Sequence, residues 1–220
     1  MPQGPPSLPA AVVFDCDGTL ADTETLSQRI WTEALAAYGV VPTDDDFAAV
    51  IGHAWPRSYE RFSERADLGD PERFRAEVRA VAERVHATDL RLFDDAVTVL
   101  RALTDHAVPV AVASSSSRAH VERCLALGGL RDRVRVVLGA DDVLAPKPDP
   151  EPYRRAVEGL GVAAHLAVAV EDTVTGLTSA RAAGLRTVAV ARGAVPTETL
   201  RPFADRLVAT LTLDAVTLPP

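Results

Sequence analysis

The sequence predicts a doubly wound α/β domain with a mostly parallel sheet, interrupted after its first strand by an all-helical insert. Three observations carry this. Short, almost wholly apolar runs recur without polar alternation, which suits strands covered on both faces. Segments of helical period separate them, and strand–helix–strand repetition builds a parallel sheet. Between about Ala21 and Leu92 that rhythm stops and no clear strand pattern occurs.

The elements follow in order. Strands are expected at Ala11–Phe14, Val108–Ala113, Val134–Leu138, Leu166–Val170 and Thr187–Val190, with a weaker one at Arg206–Ala209. Helices are expected at about Ala96–Asp105, Arg118–Leu127, Glu151–Leu160 and Val174–Ala183, with Gly128, Gly161 and Gly184 placed to close three of them. In the insert, Leu26, Ile30, Trp31, Ala34, Leu35 and Tyr38 form one apolar stripe that Gly39 ends. Asp70 followed by Pro71 reads as an N-cap and first helical residue, and Phe74, Val78, Val81, Ala82 and Val85 carry the helix beyond. The division is therefore a disordered tail over residues 1–9, a core of residues 10–20 and 93–220, and a helical cap over residues 21–92.

Composition narrows the class. The 220 residues are 47% hydrophobic and 25% charged with a net charge of −8. That apolar content builds a real core, and the acidic balance excludes sequence-independent nucleic-acid binding, which needs a basic face. No run approaches the roughly 18 apolar residues of a membrane span, and the first ten residues lack a basic leader segment. Two distant cysteines, Cys16 and Cys124, make no disulfide framework, so a reducing, cytoplasmic setting is expected. Of 23 basic residues, Lys147 is the only lysine.

In an open α/β sheet, ligands bind at the carboxyl ends of the strands. The first end carries Asp15-Cys16-Asp17-Gly18-Thr19, the second Ser114 to Ser117, the third leads to Lys147 in APKPDP, and the fourth carries Glu171-Asp172. If these loops converge, Asp15, Asp17, Glu171 and Asp172 crowd together. Two like charges about 4 Å apart cost roughly 4 kcal/mol at an effective dielectric near 20, so the group needs a cation. An all-oxygen donor set suits Mg²⁺. Lys147 and the Ser114 hydroxyl then complete a pocket for an anion such as phosphate. A solvated surface role for Lys147 fits poorly, because arginine stands everywhere else and its planar fork differs from a compact ammonium.

These four motifs, in this order, resemble those of the haloacid dehalogenase superfamily, and more narrowly its phosphatase and β-phosphoglucomutase-like branch, in which a helical cap is inserted into a Rossmann-like core. FDCDGTL and VEDTVTGLTSARAAGL are the specific stretches, and the likeness spans Val12 to Val190. The resemblance implies Asp15 as nucleophile, forming an aspartyl-phosphate, and Asp17 as the acid and base. It implies Mg²⁺ held by Asp15, the main-chain carbonyl of Asp17, and Asp172, with Glu171 as a further or neighbouring ligand. Ser114 and Lys147 would hold the phosphoryl group, with the backbone amide of Ser115. Asp17 must be protonated for part of the cycle; neighbouring carboxylates would raise its pKa and the metal would oppose this. His53, Trp55 and Arg57 lie in a cap loop that resembles the substrate-specificity loop, although Trp55 could equally pack the cap.

The resemblance thus implies an Mg²⁺-dependent phosphatase acting on a small phosphomonoester, of the sugar phosphate or phosphoglycolate type, as a monomer or weak dimer. The runner-up is a phosphosugar mutase. Mutase relatives carry a His where this chain has Ser27 and a Lys where it has Ile51, and both departures favour hydrolysis. Asp94-Asp95 stands where many relatives have Pro-Gly. A remote alternative is a non-enzymatic phosphoacceptor module. Cys16 cannot serve a cysteine phosphatase, whose Arg partner six residues on is here Asp22, so Cys16 and Cys124 are expected as core. His86, His106, His120 and His165 show no metal-ligand spacing and are expected to be structural or on the surface.

Overall fold

A computed structural model describes residues 7–50 and 55–218. Its contacts divide the chain into two compact units, Met1–Ala21 with Leu92–Pro220, and Asp22–Arg91.

The first unit is built on six strands: β1 (Ala11–Phe14), β2 (Val110–Ala113), β3 (Val136–Leu138), β4 (Ala167–Glu171), β5 (Arg186–Val190) and β6 (Arg206–Val208). Their order is β3-β2-β1-β4-β5-β6, and every pairing is parallel. The chain therefore winds outward from β1 in one direction and from β4 in the other. The β1–β4 junction is the topological switch point, where such sheets open a crevice. Helices α5 (Asp94–Asp105), α6 (Arg118–Leu127), α7 (Glu151–Leu160) and α8 (Val174–Ala182) connect them, and a short α9 (Thr197–Leu200) precedes β6; the helices before α5 lie in the second unit. Residues of β1, β2 and β4 are almost entirely buried, as their unbroken apolar runs require. On one face Val13, Ala111 and Ala169 pack with Tyr153, Ala156 and Val157 of α7; the small alanines let that helix approach closely.

Several boundaries differ from expectation. β2 starts at Val110 rather than Val108, because Ala107 turns with φ +60° ahead of Pro109, which has no N–H to offer a ladder. β4 runs on to Glu171, which pairs with Ala189, so this carboxylate stands on the sheet itself. Gly161 (φ +71°) and Gly184 (φ +86°) take the left-handed turn, but after α6 that task passes from Gly128 to Gly129 (φ +60°). The tail expected over residues 1–9 is described only from Ser7, and there it is ordered: Ser7 bridges Leu218 through two backbone hydrogen bonds, and Pro9 is buried.

The second unit is helical: α1 (Glu24–Ala36), α2 (Asp44–Val50), α3 (Trp55–Ser63) and α4 (Pro71–Asp89). Asp70 caps α4, its side chain accepting from Arg73 N at 2.9 Å with Pro71 at the first position. Leu35, Val40, Val50, Phe62, Leu68 and Phe74 form its core, with Trp31 stacked on Trp55 at 5.8 Å. Asp46 is buried there among Thr43, Arg61 and Arg65.

Candidate active site

The residues at the carboxyl end of the sheet are gathered by the strands that precede them. Asp15 continues β1, its N–H donating to Val170 O of β4 at 2.9 Å. The chain then doubles back: Leu20 N and Ala21 N both donate to Cys16 O. Gly18 makes this turn with φ +74°, and a Cβ there would lie 2.0 Å from Asp172 Oδ2, so backbone conformation and space both demand glycine. Thr19 Oγ1 donates to Asp172 Oδ1 at 3.2 Å, tying the first loop to the fourth.

Lys147 is the hub. Its side chain is 3% exposed, and its Nζ lies 2.6 Å from both Asp15 Oδ1 and Glu171 Oε1. It also donates to Tyr153 Oη at 3.3 Å and lies 4.8 Å from that ring's centre. Tyr153 in turn donates to Glu171 Oε1 at 3.0 Å. The other Glu171 oxygen accepts from Asp172 N, Thr173 N and Thr173 Oγ1. Burial disfavours the charged form of Lys147, yet the fields of Asp15 and Glu171 override it and hold its pKa well above the usual value. Burial also acts on Asp15: opposed by Lys147 but reinforced by Glu171 and Asp17, it pushes that carboxyl up to about 8. The loop ends thus hold more negative charge than the lysine balances.

Donor oxygens of Asp15, Glu171 and Asp172 all lie within 4.8 Å of one another. The side chain of Asp17, expected beside them, falls outside that group. Ser114 Oγ donates to its Oδ2 at 3.1 Å, and His120 Nε2 donates to its Oδ1 at 2.8 Å. Burial would raise the pKa of Asp17, but the hydrogen bond and charge of His120, with Ser116 and Ser114, hold it down to about 2. This reverses the expected influence of neighbouring carboxylates, because the nearest ionised partner is a cation. Burial works against the charge on His120 too, and Asp17 with Cys124 raises it to about 10.

The structure therefore joins Asp15, Lys147, Glu171 and Asp172 in one bonded network and Asp17, Ser114 and His120 in a second. Ser115 is exposed beside Ser114, and Ser117 caps α6 by accepting from His120 N. His53 and Ile51 lie outside the described residues. Trp55 is committed to the aromatic cluster of the helical unit, also facing Phe74 and Tyr59, while Arg57 is exposed on α3. Sequence reasoning missed His120 and Tyr153. The available signal was position: His120 lies in the first turn of the helix that begins at the Ser114 loop, and Tyr153 in the first turn after Lys147.

The family described as haloacid dehalogenase-like hydrolase matches residues 12–190. The fructose-1-phosphate phosphatase YqaB of Escherichia coli is 33% identical over 189 residues, covering 82% of this chain and 96% of its own. The validoxylamine A 7'-phosphate phosphatase of Streptomyces hygroscopicus is 29% identical, covering 79% and 81%. Among solved structures, a CbbY variant from Rhodobacter sphaeroides in complex with xylulose-(1,5)bisphosphate superposes with a TM-score of 0.81. It is 26% identical and covers 96% of this chain and all of that one.

Proposed function

This chain belongs to the haloacid dehalogenase-like hydrolase family, and on that premise we propose that it is a Mg²⁺-dependent phosphatase of small phosphomonoesters, of the sugar phosphate or phosphoglycolate type, working through an aspartyl-phosphate on Asp15. One observation carries the reading: the sole lysine is buried at the sheet's switch point, bonded at 2.6 Å to both Asp15 and Glu171. A buried ammonium held by two carboxylates beside a third is a site made for an anion once a metal joins it.

The residues suit a hard divalent cation. Their donors are all oxygens, and burial, reinforced by Glu171 and Asp17, disfavours the charged form of Asp15, which such an ion would favour. Asp15, Asp172 and the Asp17 carbonyl would hold it. Both Glu171 oxygens already accept from Lys147, Tyr153 and backbone donors, so Glu171 serves to aim Lys147. Bound there, Mg²⁺ supplies charge neutralisation at the phosphoryl oxygens.

The chain's own groups divide the remaining work. Lys147 and Ser114 bind and orient the phosphoryl group, and Asp15 attacks phosphorus in line. Asp17 protonates the leaving oxygen, then takes a proton from the water that cleaves the acyl phosphate. His120 holds Asp17 ionised in the resting state, which suits it as the base. An arriving phosphate dianion raises the pKa of a neighbouring carboxylate, which suits it as the acid.

A panel of sugar phosphates and phosphoglycolate, assayed with Mg²⁺ and after EDTA treatment, tests this. Turnover should appear only with the metal, and acid quenching should trap phosphate on the protein but not on the Asp15→Asn variant. Turnover that survives EDTA would overturn the reading.

A further inference from the structure

Behind the catalytic loop lies a second cluster that the phosphatase reading does not use. Cys16 of that loop, and His120 and Cys124 one turn apart on α6, present two sulfurs and an imidazole nitrogen all within 4.8 Å of one another. All three residues are buried, and both cysteines are free thiols. Cys124 Sγ lies 3.5 Å from His120 Nε2. Tetrahedral zinc, with bonds of about 2.3 Å to sulfur and 2.0–2.1 Å to nitrogen, would separate such a pair by about 3.6 Å. Asp17 Oδ1, 2.8 Å from the same nitrogen but outside that 4.8 Å group, would supply a fourth donor by rotation of its side chain. A Cys₂His set with one carboxylate selects a thiophilic ion over Mg²⁺, whose preference is for oxygen.

We propose that Cys16, His120 and Cys124 form an inhibitory site for a thiophilic divalent cation of the zinc class, which claims Asp17 as its fourth ligand. Binding displaces the Nε2 proton of His120 and the thiol protons. It also removes the His120 donor that Asp17 has in the free protein and ties up the carboxylate itself. Cys16 sits between Asp15 and Asp17, so the ion would also stiffen the loop that carries both. The inhibition rests on the phosphatase reading; the binding does not.

The test uses the full, thiol-reduced chain in excess Mg²⁺, which occupies the acidic cluster. Co²⁺ serves as the spectroscopic probe. One Co²⁺ per chain should bind with a thiolate-to-metal charge-transfer band and the intense visible bands of tetrahedral cobalt, and Zn²⁺ should displace it. Hydrolysis of para-nitrophenyl phosphate should fall with the same Zn²⁺ midpoint. Cys124→Ser should abolish the charge-transfer band and raise the inhibitory Zn²⁺ concentration on the order of 100-fold, with Mg²⁺-supported turnover unchanged; Cys124→Ala repeats the test by a second replacement. A cobalt spectrum without charge transfer would overturn the site. So would zinc inhibition that Cys124→Ser leaves intact and added Mg²⁺ relieves, since the ion would then sit on the acidic cluster. A chain that shows the band but no phosphatase turnover would keep the site and sink only the catalytic reading.

Discussion

The two units of this chain treat charge in opposite ways. In the sheet unit, Asp15, Lys147, Glu171 and Asp172 are buried together at the strand ends, each held by others of the set or by nearby backbone and hydroxyl donors. In the helical unit the core is aliphatic and aromatic, and most ion pairs, such as Arg73–Glu77 and Arg29–Glu33, lie on the surface. Asp46 is the exception, and it is fully paired. Burying unbalanced charge costs several kcal/mol per ion. A fold that does so at one place, while exposing charge elsewhere, has put stability second to chemistry there.

The largest expected effect breaks the chemistry and spares the fold. Asp15→Asn should lower turnover by at least on the order of 10⁴-fold. It should leave unfolding unchanged or raise its midpoint, because the exchange removes a carboxyl that burial already pushes up to about 8. Circular dichroism and single-turnover assays check both halves. Lys147→Met comes next: it strands Asp15 and Glu171 without their cation and should cost about 3–5 kcal/mol in urea unfolding as well as turnover. Lys147→Arg should not restore activity, since the planar fork cannot replace a point charge seated between two carboxylates.

His120→Gln sharpens the comparison through pH. The pKa of His120 is raised in the folded protein, so its contribution is complete below the unfolded value of 6.5 and is lost as pH rises through about 10. That of Asp17 is depressed, so its contribution is present above 3.8 and is lost as pH falls through about 2. The stability gap between wild type and variant should therefore be widest between about pH 4 and 6.5 and close toward pH 10, as read by urea midpoints across that range. A gap independent of pH would show that the pair matters only by packing. The smallest effect belongs to the helical unit's surface: Arg73→Ala, at a side chain 81% exposed, should shift unfolding by less than about 0.5 kcal/mol.

Much of this site was legible in the linear sequence. Asp15, Lys147 and Asp172 stand at or beyond strand ends, and a short apolar run announces its own end. Lys147 was conspicuous by composition alone. His120 was not, because a single histidine on an amphipathic helix looks like any other; its partner Asp17 is 103 residues away. Tyr153 carried no sequence signal of its own beyond its place in the helix after Lys147, where it is buried.

Local rules determined the strands, the helices, the interrupting insert and the residue types at each strand end, because propensity, capping and hydrophobic period act over a few residues. Tertiary packing decided which charge faces which. It placed Lys147 between Asp15 and Glu171, and it set Asp17 against a histidine. Those pairings depend on how whole strands and helices align in three dimensions. A carboxylate's pKa is set by whatever that alignment brings within a few ångströms, which neighbours in sequence do not reveal.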